Sequence, residues 1–231
     1  DGLSSPTEIL DAAEHAKLDV IALTDHDDIH GSFLLRDMAA RRRSPVHVVT
    51  GIEVTTRSGH LLALYLEDEI PMLRPLEETL AAIHRGGGIA IVPHPLSYLT
   101  FSVGERPLRE SAARGEPDGR VDGIELRNPS YAGRVREQRA RWLNEHVLKV
   151  AETGSSDAHQ AGLIGTCWTE FPGTSTGDLR AAIAERRTKA RGRHWSLGEH
   201  LDGAARQQWR SMVRDPAKRF LSRARGGTRR P

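Results

Sequence analysis

Short apolar runs that stop abruptly at clusters carrying histidine or carboxylate constrain this chain more than any other feature. Residues 20–23 (Val-Ile-Ala-Leu) give way at once to Thr24-Asp25-His26-Asp27. Residues 46–49 lead into Gly51-Ile52-Glu53, residues 89–92 into Pro93-His94-Pro95, and residues 123–126 into Arg127-Asn128-Pro129. Runs this short, with no polar alternation, fit strands buried on both faces, as in parallel sheets. Residues 61–66, preceded by Gly59-His60, and residues 166–171 read as further strands. Helix signals lie between them. Ser5-Pro6-Thr7-Glu8 supplies an N-cap, a first-turn proline and a capping-box glutamate ahead of an apolar face of Ile9, Leu10, Ala13 and Ala16. Residues 32–42, 76–84 and 179–186 are also predicted helical, and residues 135–148 form a long amphipathic stretch. The alternation predicts an α/β fold with a parallel sheet, and the repeated polar clusters predict a barrel whose strand ends gather at one face.

His26, Glu53, His94, Asp157 and His159 fall at strand ends or turns, and His60 opens a strand just after Glu53. Imidazole and carboxylate together suit zinc, manganese or iron, and no thiolate cluster competes, because Cys167 is the one cysteine. Asp157 and His159 are two apart, so on extended backbone both side chains point to one face. A multinuclear metal site is the simplest reading of the set. The other histidines, among them His30 and His84, fall in helices, loops or the tail and are read as ordinary surface or core residues.

With 231 residues, the chain can bury a sizeable core. No apolar run approaches the ~18 residues of a membrane span, so no membrane association is expected. One cysteine excludes an internal disulfide framework and suits a cytoplasmic location. The chain opens on Asp1 without initiator Met, basic n-region or apolar h-region, so no signal peptide is read there. A formal net charge of +2 conceals an asymmetry, with a net +8 on residues 191–231 against −6 on residues 1–190.

Leu23-Thr24-Asp25-His26-Asp27, Gly51-Ile52-Glu53-Val54, Val92-Pro93-His94-Pro95 and Ser156-Asp157-Ala158-His159 resemble, in order, the successive motifs of the PHP (polymerase and histidinol phosphatase) superfamily. The opening Asp1-Gly2 resembles its Ser-Asp-Gly. The likeness covers roughly residues 1–190, and the branch it most resembles is the stand-alone bacterial metal-dependent phosphoesterases acting on nucleotides and short oligonucleotides. It implies a distorted (β/α)7 barrel over residues 1–190 holding two or three divalent ions (Mn, Zn or Fe), followed by a basic, mostly helical tail over residues 191–231. By matching motifs, Glu53 would bridge two ions, His60 and His94 would complete one, Asp157 would serve the other, and Asp1, His26 and His159 would hold a third. Catalysis would fall on His26, Glu53 and His159. The chain begins after the family's first His-x-His motif, so the resemblance implies a barrel lacking its first strand and an incomplete site.

Arg127 and Asn128 are candidates for gripping substrate phosphate, a guanidinium offering a bidentate fork; the alternative is an ordinary loop arginine. Asp25 either orients His26 from behind or caps the strand turn. The expected substrate is a phosphorylated small molecule or short nucleic acid, with no obligatory protein partner. The rival readings are a histidinol-phosphate-type or amidohydrolase-like hydrolase and a non-catalytic domain tethered by its basic tail.

Overall fold

A computed structural model describes residues 4–114 and 119–199. The chain divides into two compact units, 1–194 and 195–231. The larger unit runs α1 (Pro6–His15), β1 (Val20–Leu23), α2 (His30–Arg42), β2 (His47–Thr56), β3 (Gly59–Leu64), α3 (Leu76–Arg85), β4 (Ile89–Val92), α4 (Glu105–Ala113) and β5 (Gly123–Arg127). It continues through α5 (Tyr131–Arg134), α6 (Glu137–Leu143), a π-helical turn at Asn144–Leu148, β6 (Ala151–Gly154), β7 (Cys167–Glu170), α7 (Thr176–Ala184) and β8 (Lys189–Gly192). The predicted start of α1 is realised in full. Ser5 Oγ accepts from Glu8 N, and the Glu8 carboxylate reaches back to Ser5 N at 2.7 Å.

Strands β1 to β6 form one sheet in sequence order, and β7 and β8 form a separate antiparallel pair. The expected α/β barrel-type fold takes the form of a half-barrel, six mostly parallel strands curled around a concave face. The expectation of a parallel sheet needs correction, because β3 runs antiparallel to both β2 and β4. Only Arg57 and Ser58 separate β2 from β3, too few for the crossover that parallel pairing demands. A second correction follows from the same hairpin. Glu53 does not end a strand; β2 continues through it to Thr56.

The two faces of the sheet separate cleanly. Ile52, Val54, Leu61, Ala63, Ala90, Val92 and Ile124 pack in one buried cluster with Leu80 and Ile83 of α3. The alternate residues Val49, Leu64, Ile89, Ile91 and Ala151 form another with Ile183 of α7. This period-2 division follows from strand geometry. On the second face a cavity of about 730 Å³ is lined by Leu62, Leu64 and Ile91, then higher up by Glu53, Glu125 and Thr153. Consecutive residues 16–25 also line it, so it meets β1 along its backbone. No helix among the described residues is long and apolar enough to cross a membrane. The predicted tail helices from residue 200 onward, and Asp1, lie outside the described residues.

Candidate metal centre

The β2–β3 register places Glu53 opposite Leu62 and Thr55 opposite His60, which makes Glu53 and His60 diagonal neighbours on the concave face. Glu53 Oε1 lies 3.1 Å from His60 Nδ1 and 3.4 Å from His94 Nε2, and its Oε2 lies 3.9 Å from His26 Nε2. His26 arrives because the chain beyond β1 stays alongside β2. Glu53 N donates to Asp25 O and Asp27 N to Glu53 O, both at 3.0 Å. Thr55 N then donates to Asp27 Oδ1 at 2.7 Å, fixing that crossing. The ring of His60 stands 4.6 Å from that of His26 and 5.8 Å from that of His94.

His94 follows β4 with a left-handed backbone, φ +31°. Its Nδ1 is 2.8 Å from Ser102 Oγ, so a proton on Nδ1 donated to Ser102 leaves the Nε2 lone pair turned toward Glu53. Burial pushes Glu53 upward, but the adjoining His60 and His94 and the charge of His26 outweigh it and hold the carboxyl at about 2. Burial lowers His94, yet its contact with Glu53 and the charges of Glu125 and Asp157 leave it raised.

The residues fit a divalent cation. Glu53 Oε1 and His60 Nδ1 are both buried, and neither is aligned to make a hydrogen bond. They contact each other only as a close ion pair, so a cation between them could satisfy both. Two donors each about 2.1 Å from one ion stand roughly 3.0–3.4 Å apart, so oxygen and nitrogen atoms converging at 3.1 and 3.4 Å suit a shared cation. The ligand-type atoms of His26, Glu53 and His60 all lie within 4.8 Å of one another.

Asp157 and His159, in the loop after β6, line the same cavity as Glu53. Asp157 is also left-handed, φ +48°, and His159 Nδ1 lies 3.2 Å from Asp157 O. Asp25 lines the cavity too, and its carboxylate lies against Gly31 of α2, where an added Cβ would collide with it. Arg127 and Asn128 are each engaged by other protein groups. Arg127 Nη1 lies 3.2 Å from Glu137 of α6 and 3.0 Å from His194 Nε2. Asn128 is 2% exposed, its amide committed to Glu125, Asp157 and Ser130.

Sequence reading missed Glu125, 3% exposed in the middle of β5. Its carboxylate accepts from His94 N at 2.6 Å, Asn128 Nδ2 at 2.9 Å and Ser155 Oγ. Burial and the nearby Asp157 charge push it up to about 7. The signal was a lone carboxylate in Gly-Ile-Glu-Leu, an otherwise apolar strand. A second group, Asp28, His30 and Glu69, is exposed, and His30 N and Nδ1 already contact Asp28 Oδ1.

A family model described as PHP-associated matches residues 138–188. An uncharacterised protein of Methanocaldococcus jannaschii is 33% identical over 128 residues, 55% of this chain and 68% of that protein. The chain belongs to the PHP family. This PHP protein is also similar to an error-prone DNA polymerase of Mycolicibacterium paratuberculosis, 26% identical over 230 residues, 89% of this chain but 20% of the polymerase. In fold it resembles a two-domain protein from Bacteroides vulgatus containing a predicted PHP-like metal-dependent phosphoesterase. That likeness has a TM-score of 0.62 at 22% identity and covers 84% of this chain and 61% of that one.

Proposed function

We propose that this PHP protein is a metal-dependent phosphoesterase that hydrolyses phosphate esters of nucleotides or short oligonucleotides. The observation that carries the reading is the buried Glu53 carboxylate set against His60 and His94, with unsatisfied donor atoms converging between them. Glu53, His60 and His94 would hold one divalent ion, and Asp157 and His159, on the cavity wall, would extend the site to a second or third, drawn from Mn, Zn or Fe. Bound there, such ions supply an activated water and offset charge on the phosphoryl oxygens. The protein's own groups do the rest. Ser102 Oγ holds the His94 ring at Nδ1, and by accepting a hydrogen bond there would leave Nε2 available to an ion. His26 stands at the outer side of the cluster, its side chain 37% exposed, where Nε2 can pass a proton to a leaving oxygen.

The similarity to a DNA polymerase supports nucleotide substrates over other phosphate esters. A panel of nucleoside monophosphates, dinucleotides and histidinol phosphate, assayed with added Mn²⁺, tests the reading. Turnover of nucleotide substrates that disappears in Glu53→Ala supports it. Preference for histidinol phosphate would replace the substrate class, and turnover of an added amide substrate but of no phosphate ester would overturn the phosphoesterase assignment.

A further inference from the structure

Two of the residues that bring ligand-type side chains from loops, His94 after β4 and Asp157 after β6, share a backbone condition. Both hold left-handed backbones, φ +31° and +48°, which non-glycine residues adopt at a cost of order 1 kcal/mol or more. Such conformations persist only where the surroundings over-determine them.

Glu125 and Asn128 lie between these loops. Glu125 Oε2 accepts from the backbone N–H of His94 at 2.6 Å, and its Oε1 accepts from Ser155 Oγ, two residues before Asp157. The same Oε2 accepts from Asn128 Nδ2 at 2.9 Å, and that amide also reaches Asp157 Oδ2 at 3.2 Å. Asn128 is itself fixed, because Oδ1 accepts from Ser130 N at 3.0 Å and Ser130 Oγ at 2.7 Å. Its side chain occupies space left by Gly133, where an added Cβ would overlap it. A buried carboxylate and a buried amide thus tie the ends of β4, β5 and β6 into one unit.

We infer that Glu125 and Asn128 are positioning residues that hold His94 and Asp157 in metal-binding orientation without binding the ion themselves. This rests on the metal-site reading. Groups that orient metal ligands typically carry about 10–100-fold in affinity.

The test is Mn²⁺ affinity of the full chain, measured by competition with a chromophoric chelator, with circular dichroism of each variant metal-free. Glu125→Gln keeps an oxygen for His94 N and Asn128 and an amide for Ser155, so its affinity should stay within about threefold of wild type. Glu125→Leu, of similar size but unable to accept, and Asn128→Ala should each bind about 10–100-fold more weakly while retaining the native spectrum. Should Glu125→Leu fail to fold, the comparison of Asn128→Ala with Glu125→Gln decides. Folded Asn128→Ala with wild-type affinity, or Glu125→Gln as weak as Glu125→Leu, overturns the inference. A wild-type chain without measurable Mn²⁺ binding instead overturns the metal-site reading beneath it.

Discussion

Glu53 Oε1 and His60 Nδ1 stand 3.1 Å apart on diagonal positions of the β2–β3 hairpin, both buried and misaligned for a hydrogen bond. A hairpin is a rigid way to fix such a pair, since its register leaves no freedom to slide without turning each side chain to the opposite face.

The metal-free chain should report this pair through its acid limb. Glu53 has its carboxyl depressed to about 2 from an ordinary 4.5, so the stability it contributes is fully present above about pH 4.5 and is lost as pH falls through about 2. Unfolding midpoints between pH 4.5 and 2 should therefore fall less steeply in Glu53→Gln than in wild type. Parallel curves would show that Glu53 is not held ionised by its histidines.

Gly59 opens β3 at φ +131°, and a Cβ there would strike the backbone of Ser102 and Val103. That segment carries the Ser102 hydroxyl that meets His94 Nδ1, and its Phe101 O accepts from His60 N at 3.1 Å. Gly59→Ala should lower the unfolding midpoint, at a cost of about 1–3 kcal/mol, and weaken Mn²⁺ binding as well. Calorimetry and a chelator competition check the two halves. An unchanged melt would mean that the 101–103 segment yields freely.

Much of this architecture is legible in the sequence. The end of β1 before Thr24-Asp25-His26 and of β4 before Pro93-His94 are visible because short apolar runs stop where the polar cluster starts. β2 extends past Thr50-Gly51 because pairing with β3 sustains it, a tertiary cause that local pattern does not carry. β6 (Ala-Glu-Thr-Gly) and β8 (Lys-Ala-Arg-Gly) are four residues each and mix polar with small side chains, so neither shows a period. α4 is masked by its charge and Pro107. In the site, histidines and motif acids are conspicuous, whereas Glu125 matters through hydrogen bonds from Asn128 nearby and from His94 and Ser155, both distant in sequence.

Cys167 should be inert. It is 3% exposed, its Sγ lies 3.2 Å from Arg193 O, and burial pushes the thiol up to about 12. At pH 8 the thiolate that reacts with disulfide reagents is therefore scarce. Folded protein should show negligible labelling by Ellman's reagent over minutes and one thiol per chain in guanidinium. Rapid labelling of the folded chain would contradict the packing of β7 against β8.

The central claim is that the cluster around Glu53 binds a divalent cation, and calorimetric titration of the metal-free full chain with Mn²⁺ or Zn²⁺, in parallel with Glu53→Ala, tests it most directly. The account predicts saturable binding of at least one ion per wild-type chain, with that binding lost or weakened by orders of magnitude in a folded Glu53→Ala variant. No saturable binding by wild type, or equal binding by the variant, would contradict it.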